Sequence, residues 1–90
     1  MILKRPSFER SYNNLTPQQQ SAIDDALTKL EKSFGRPHEH AGIGVRTIGR
    51  FLECRAGLQK RILFVVRDGD IVLVIAGNHD AIRAYIKNNS

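Results

Sequence analysis

Apolar and polar positions alternate with two different periods along this chain, and the period changes near its middle. In the first part, Ile23, Ala26, Leu27, Leu30 and Phe34 recur at the i, i+3, i+4, i+7 spacing that lines up one stripe of a helix. The start of that helix is marked by Thr16 as cap, Pro17 at the first helical position and Gln19 completing a Thr-x-x-Gln capping box. Gly35 and Pro37 end it, so the pattern predicts a helix from Pro17 to about Phe34. Upstream, Pro6 suits the first position of a short helix reaching about Asn13, after a short strand over Met1–Lys4.

From Gly42 onward the period is two. In "RFLECRA", Phe51, Glu53 and Arg55 fall on one side and Leu52, Cys54 and Ala56 on the other. "KRILFVV" and "IVLVIAG" are β-branched runs joined by Asp68-Gly69, a type I′ hairpin signal, and a further strand is expected at Val45–Ile48. Asp80–Lys87 reads as a closing helix with Asp80 as its N-cap. The fold class expected is α+β: an N-terminal helical pair packed on a small antiparallel sheet of three or four strands, then a short C-terminal helix, all in one domain over 1–90.

Turn lengths set the registers. A two-residue loop at Asp68-Gly69 puts Arg67 opposite Asp70, Phe64 opposite Leu73 and Arg61 opposite Ala76. A three-residue loop at Gly57-Leu58-Gln59 puts Ala56 opposite Lys60 and Arg55 opposite Arg61, with Leu52, Cys54, Ile62, Phe64 and Val66 in one apolar layer. The other face then carries Glu53, Arg55 and Arg61 at one end and Leu63, Val65, Val72 and Val74 toward the other, an apolar remainder that a partner segment is expected to cover. Two guanidinium groups directly opposite each other need an anion between them. Either Glu53 supplies it, or a phosphate does, because Arg forks match phosphate oxygens bidentately.

Charge supports the second reading without deciding it. The net charge is +5 with pI near 9.9, and residues 36–90 carry nine Lys/Arg against five Asp/Glu. Between Arg46 and Arg61 the cations Arg46, Arg50, Arg55, Lys60 and Arg61 meet one acid, Glu53. Downstream, Asn78, His79 and Asp80 stand side by side where the last strand stops, and the imidazole of His79 suits proton transfer at a phosphodiester. With no Trp and two Tyr, stacking of bases on the protein is expected to be slight. The single cysteine, Cys54, forms no internal disulfide, no apolar run approaches a membrane span, and the first charge comes after three residues, so the cytoplasm is the expected location.

Taken together, "FLECRA", "KRILFVVRDGD" and "VIAGNHDAIRAY" after an N-terminal helical pair resemble the RelE/ParE superfamily of toxin–antitoxin toxins, and "PHEHAGIGVR" is similar to the segment that precedes the sheet in relatives of that group. The resemblance implies a type II toxin acting as a ribosome-dependent messenger-RNA endonuclease, without metal or cofactor, held in check by a cognate antitoxin. Carried onto this chain, it implies that Arg61 contacts the scissile phosphate, that His79 is the catalytic histidine, and that Tyr85 orients the nucleotide. His40, or else Glu53, would be the base; Arg55, Lys60 and Arg46 would bind phosphate; His38 stands near His40 as a lesser choice. Rival readings are a ParE-like gyrase inhibitor of the same fold, a metal site built from His38, His40, His79 and Asp80, and a basic binding module without chemistry.

Overall fold

The computed structural model describes residues 1–33 and 44–89. Phe34, Gly35, His38 and His40 lie outside them, as do residues 37–43 of the "PHEHAGIGVR" segment. The elements follow one another as β1 (Ile2–Lys4), α1 (Pro6–Asn13), α2 (Pro17–Ser33), β2 (Arg46–Ile48), β3 (Phe51–Ala56), β4 (Lys60–Arg67), β5 (Asp70–Gly77) and α3 (His79–Asn89). The strands form one sheet in the order β1-β5-β4-β3-β2. From β2 to β5 all pairings are antiparallel; β1 lies parallel to β5 and makes the sheet mixed, where the alternation alone led to an antiparallel meander. A parallel edge needs a crossover, and α1, α2 and the intervening strands supply it. No helix among the described residues is long and apolar enough to cross a membrane.

The capping box at α2 forms as its residues dictate: Thr16 N donates to Gln19 Oε1 at 3.0 Å and Gln19 N donates to Thr16 Oγ1 at 3.2 Å. The stripe that follows buries Ile23, Ala26 and Leu30. With Phe8 of α1 they pack on Cys54, Ala56, Ile62, Phe64, Ile71, Leu73 and Ala76, the inward face of the sheet. Each fully buried Leu, Ile or Phe contributes roughly 1.5–3 kcal/mol of transfer free energy, so this layer is the principal source of stability.

The other face of the sheet holds a second cluster of Phe51, Leu63, Val74 and Ile82, with Val65, Ile75, Tyr85 and Ile86 packed against it. The cover expected from a partner is therefore supplied by this chain's own α3. The reason is the 3.6-residue spacing of Ile82, Tyr85 and Ile86, which gives a short helix one apolar stripe of the right width.

A bulge corrects one register. Phe64 pairs with Leu73 as the hairpin requires, but Leu63 pairs with Ile75, so Val74 is the extra residue and Arg61 faces Gly77 instead of Ala76. The break in alternation lets both Val74 and Ile75 serve the α3 face while Leu73 and Ala76 serve the other. Backbone groups of β5 beyond the end of β1 are taken up by α1: Ser7 Oγ donates to Val74 O at 2.6 Å and Ala76 N donates to Ser11 Oγ at 3.0 Å.

Candidate functional site

The bulge brings the end of β5 one residue closer to Arg61. Directly after Gly77 the chain turns into α3, and Asn78 caps it: Ala81 N donates to Asn78 Oδ1 at 2.8 Å and Ile82 N to the Asn78 carbonyl at 3.1 Å. The cap expected at Asp80 thus falls earlier, at Asn78. Asn ranks with Asp as a cap, and here the bulge fixes where the strand ends. Asp80 sits instead in the first turn, where its charge complements the helix N-terminus. Capping by Asn78 leaves His79 as an exposed first helical residue.

Arg61 and His79 line one open cleft of about 300 Å³ together with Leu58, Gln59, Asn78 and Asp80. Its floor is the head of β4 and its two walls are the β3–β4 turn and the start of α3. Across the sheet, Arg55 pairs directly with Arg61 and Ala56 with Lys60, as the three-residue turn requires. The guanidinium of Arg55 lies against Gly44, whose hypothetical Cβ would stand 2.6 Å from Arg55 Nε. Glycine at φ +63 leaves that room.

Glu53 answers part of the charge problem set by these arginines: among the described residues it bonds Arg61, together with Arg46, and not Arg55. It is 1% exposed, and its Oε1 accepts from both Arg46 Nε and Arg61 NH1, each at 2.9 Å. Both guanidinium groups remain partly open to solvent, Arg61 at 28% and Arg46 at 54%. One carboxylate therefore ties two cations, and the side chain of Arg61 is held by the strand beneath it while its outer edge faces the cleft. Glu53 Oε2 is buried and has no hydrogen-bond partner among the described residues. With Arg55 added, the cluster carries three cations and one anion.

Tyr85 is placed elsewhere. Half-buried on α3, it meets Phe51 edge-to-face with ring centroids 6.1 Å apart, and the Arg50 guanidinium lies over the Phe51 ring, 5.2 Å from its centroid. The residues of the cleft that sequence reasoning did not place in a site are Leu58, Gln59 and Asn78. Only Asn78 had a legible signal, as one of two good caps close together; the other two depend on how the turn sits in space. Among the described residues no group of three or more His, Cys, Asp and Glu is gathered as a metal site would require.

No protein-family model and no curated protein matches this sequence significantly. Solved structures do. The RelB–RelE antitoxin–toxin complex of Methanococcus jannaschii contains a chain that is 14% identical, superposes with a TM-score of 0.67 and aligns over 92% of this chain and 96% of its own. The toxin–antitoxin complex RelBE2 of Mycobacterium tuberculosis gives a TM-score of 0.69 at 14% identity, over 88% of this chain and 96% of that one. A copper-bound mutant toxin of Helicobacter pylori gives 0.61 at 14% identity, over 90% and 96%. At such identities the likeness lies in the path of the backbone, and by that measure the chain has the fold of the RelE-type toxins.

Proposed function

We propose that this chain is the toxin of a toxin–antitoxin pair and that it cuts messenger RNA on the ribosome. The observation that carries the reading is the shared cleft: Arg61 and His79, on different elements, open onto one space within a RelE-like fold. Two of the similar structures are described as toxin–antitoxin complexes, which supports a cognate antitoxin as partner; the place of action in this proposal is the cytoplasm, where messenger RNA is translated.

Arg61, oriented by Glu53, holds the scissile phosphate, and Arg55 opposite it adds a second cation as negative charge builds on the phosphorane-like transition state. The ribose 2′-OH gives its proton to a base, the 2′-oxygen attacks phosphorus, and the bond from phosphorus to the 5′-oxygen breaks. His79 protonates the leaving 5′-oxygen, so the products carry a 2′,3′-cyclic phosphate and a 5′-hydroxyl. Of the two residues considered as base, Glu53 is enclosed and bonded to two guanidinium groups, a setting that suits anchoring. His40 takes the base role in this proposal. Arg46, tied to the same carboxylate as Arg61, extends the positive surface beside the phosphate, whereas Lys60 stands on the other side of the β3–β4 turn and Tyr85 packs on Phe51.

Expression of the chain in cells, followed by mapping of messenger-RNA 5′ ends, tests this. New 5′ ends within translated regions are expected. Intact transcripts accompanied by DNA damage would replace the reading with gyrase inhibition.

A further inference from the structure

A second cleft lies behind the first, on the α2 side of the same turn. It measures about 350 Å³ and is lined by Gln18, Gln19 and Ala22 of α2 and by residues 56–60, among them Leu58, Gln59 and Lys60. Leu58 and Gln59 belong to both clefts, so the β3–β4 turn is a ridge with one cleft on each side. Leu58, at the crest, is fully exposed at 103%.

The ridge is fixed in place. Gly57 adopts φ +71, and a Cβ there would stand 3.3 Å from the Ala22 methyl, so the turn rests directly on α2. The register Ala56 opposite Lys60 closes it from the sheet side. Sites on such anchored backbone hold their geometry better than sites on loose loops.

The two clefts differ in chemistry. The first offers a guanidinium and an imidazole, groups that suit an anion, beside the carboxylate of Asp80, the Gln59 carboxamide and Asn78, whose Oδ1 is taken up by Ala81 N. The second offers one ammonium, from Lys60, and the carboxamides of Gln18, Gln19 and Gln59, with Ala22, Ala56 and Leu58 as apolar surface. A phosphate oxygen accepts hydrogen bonds only, so it uses the NH2 end of a carboxamide and leaves the carbonyl without a partner. A nucleobase edge carries donors and acceptors together, which a carboxamide matches with both of its ends. Gln19 Oε1 is already committed to Thr16 N, which leaves Gln18 and Gln59 as the amides of this cleft with no hydrogen-bond partner among the described residues.

We infer that the second cleft is a nucleobase subsite, in which Gln18 and Gln59 read the edge of an unstacked base next to the phosphate held by Arg61, with Leu58 covering its face. The inference rests on the nuclease reading for the identity of the neighbouring phosphate. Unstacked single-stranded bases recognised on their edges are the usual targets of sequence-specific RNA readers, and with so few aromatic residues this protein would read mainly by amides.

The test is a titration of isotope-labelled protein, followed by NMR, with each of the four nucleoside 3′-monophosphates and with ribose 5-phosphate, which has no base. Both probes should move the Arg61 and His79 side-chain signals, and only the nucleotides should move the Gln18 and Gln59 carboxamides, by amounts that differ among the four bases. Gln18→Ala should weaken nucleotide binding by roughly fivefold to tenfold, the loss of one or two neutral hydrogen bonds, and leave ribose 5-phosphate binding unchanged. Carboxamide signals that respond no more to nucleotides than to ribose 5-phosphate would overturn the subsite. Nucleotide-specific carboxamide shifts with Arg61 and His79 unmoved would keep the subsite and remove the phosphate role on which the nuclease reading depends.

Discussion

Glu53 Oε1 lies 2.9 Å from Arg61 NH1 and, at the same distance, from Arg46 Nε, so one enclosed carboxylate sets the position of the guanidinium that borders the cleft. Charge-assisted hydrogen bonds of this kind contribute roughly 1.5–3 kcal/mol each. Glu53→Gln keeps the shape and removes the charge. It is expected to lower the rate of RNA cleavage by about tenfold to a hundredfold while the far-ultraviolet circular dichroism stays that of the parent, the upper end applying if the lost orientation is felt fully in the transition state. An unchanged single-turnover rate would mean that Arg61 needs no anchor.

Asn78 and Asp80 can be told apart by stability. Asn78→Ala removes the acceptor for Ala81 N and is expected to cost about 1 kcal/mol in urea unfolding, within the range of about 0.5–2 kcal/mol for lost caps. Asp80→Asn removes only a favourable charge near the helix start and, at this exposed position, should cost only about 0.3 kcal/mol. Equal or reversed costs would put the cap back at Asp80.

The stretch of β5 beyond the end of β1 is sewn to α1 by Ser11, whose Oγ accepts from Ala76 N and donates to Phe8 O at 2.8 Å. Ser11→Ala leaves a strand N–H without its partner, and the expected loss is about 1–3 kcal/mol by denaturant titration. Ser11→Thr retains the hydroxyl and should recover most of it.

Cys54 gives a pH prediction. Burial, with a smaller contribution from the charge of Glu53, pushes its thiol up from 9.0 to about 12. The folded state therefore favours the neutral thiol, and this contribution to stability is whole below the ordinary thiol value and fades as pH rises from about 9 toward 12. At a mildly alkaline pH of about 8 the native protein should resist alkylation by iodoacetamide and react within minutes once unfolded in guanidinium. Rapid labelling of folded protein would show that the strand β3 opens or that the thiol is less enclosed.

The sequence carried most of the local structure because local chemistry decides it. Thr16, Pro17 and Gln19 define the start of α2 whatever surrounds them, and Asp68-Gly69 defines the hairpin. Asp68 takes φ +52 and Gly69 φ +84, the left-handed pair that this turn needs. What the pattern did not reveal is tertiary. The bulge at Val74 leaves no mark in a run of β-branched residues, and it alone moves Arg61 from Ala76 to Gly77. Met1–Lys4 reads as a strand, but its parallel pairing with β5 depends on a crossover that no local signal encodes. Likewise Leu58 and Gln59 acquire significance only when the turn is seated on Ala22. For the site itself, the opposition of Arg55 and Arg61 followed from turn length, and the meeting of Arg61 with His79 follows from the bulge.

The central claim is that Arg61 and His79 act together on one phosphodiester, and the chemistry of the cut ends tests it most directly. Purified protein added to ribosomes translating a defined messenger RNA, with product ends analysed for the parent, Arg61→Ala and His79→Ala, should yield fragments bearing 2′,3′-cyclic phosphate and 5′-hydroxyl ends with the parent. Single-turnover rates should fall by about a hundredfold or more in either variant, the scale expected for losing a positioned acid or a charge stabiliser. Fragments ending in 5′-phosphate, or a His79→Ala variant that cuts as fast as the parent, would contradict the account.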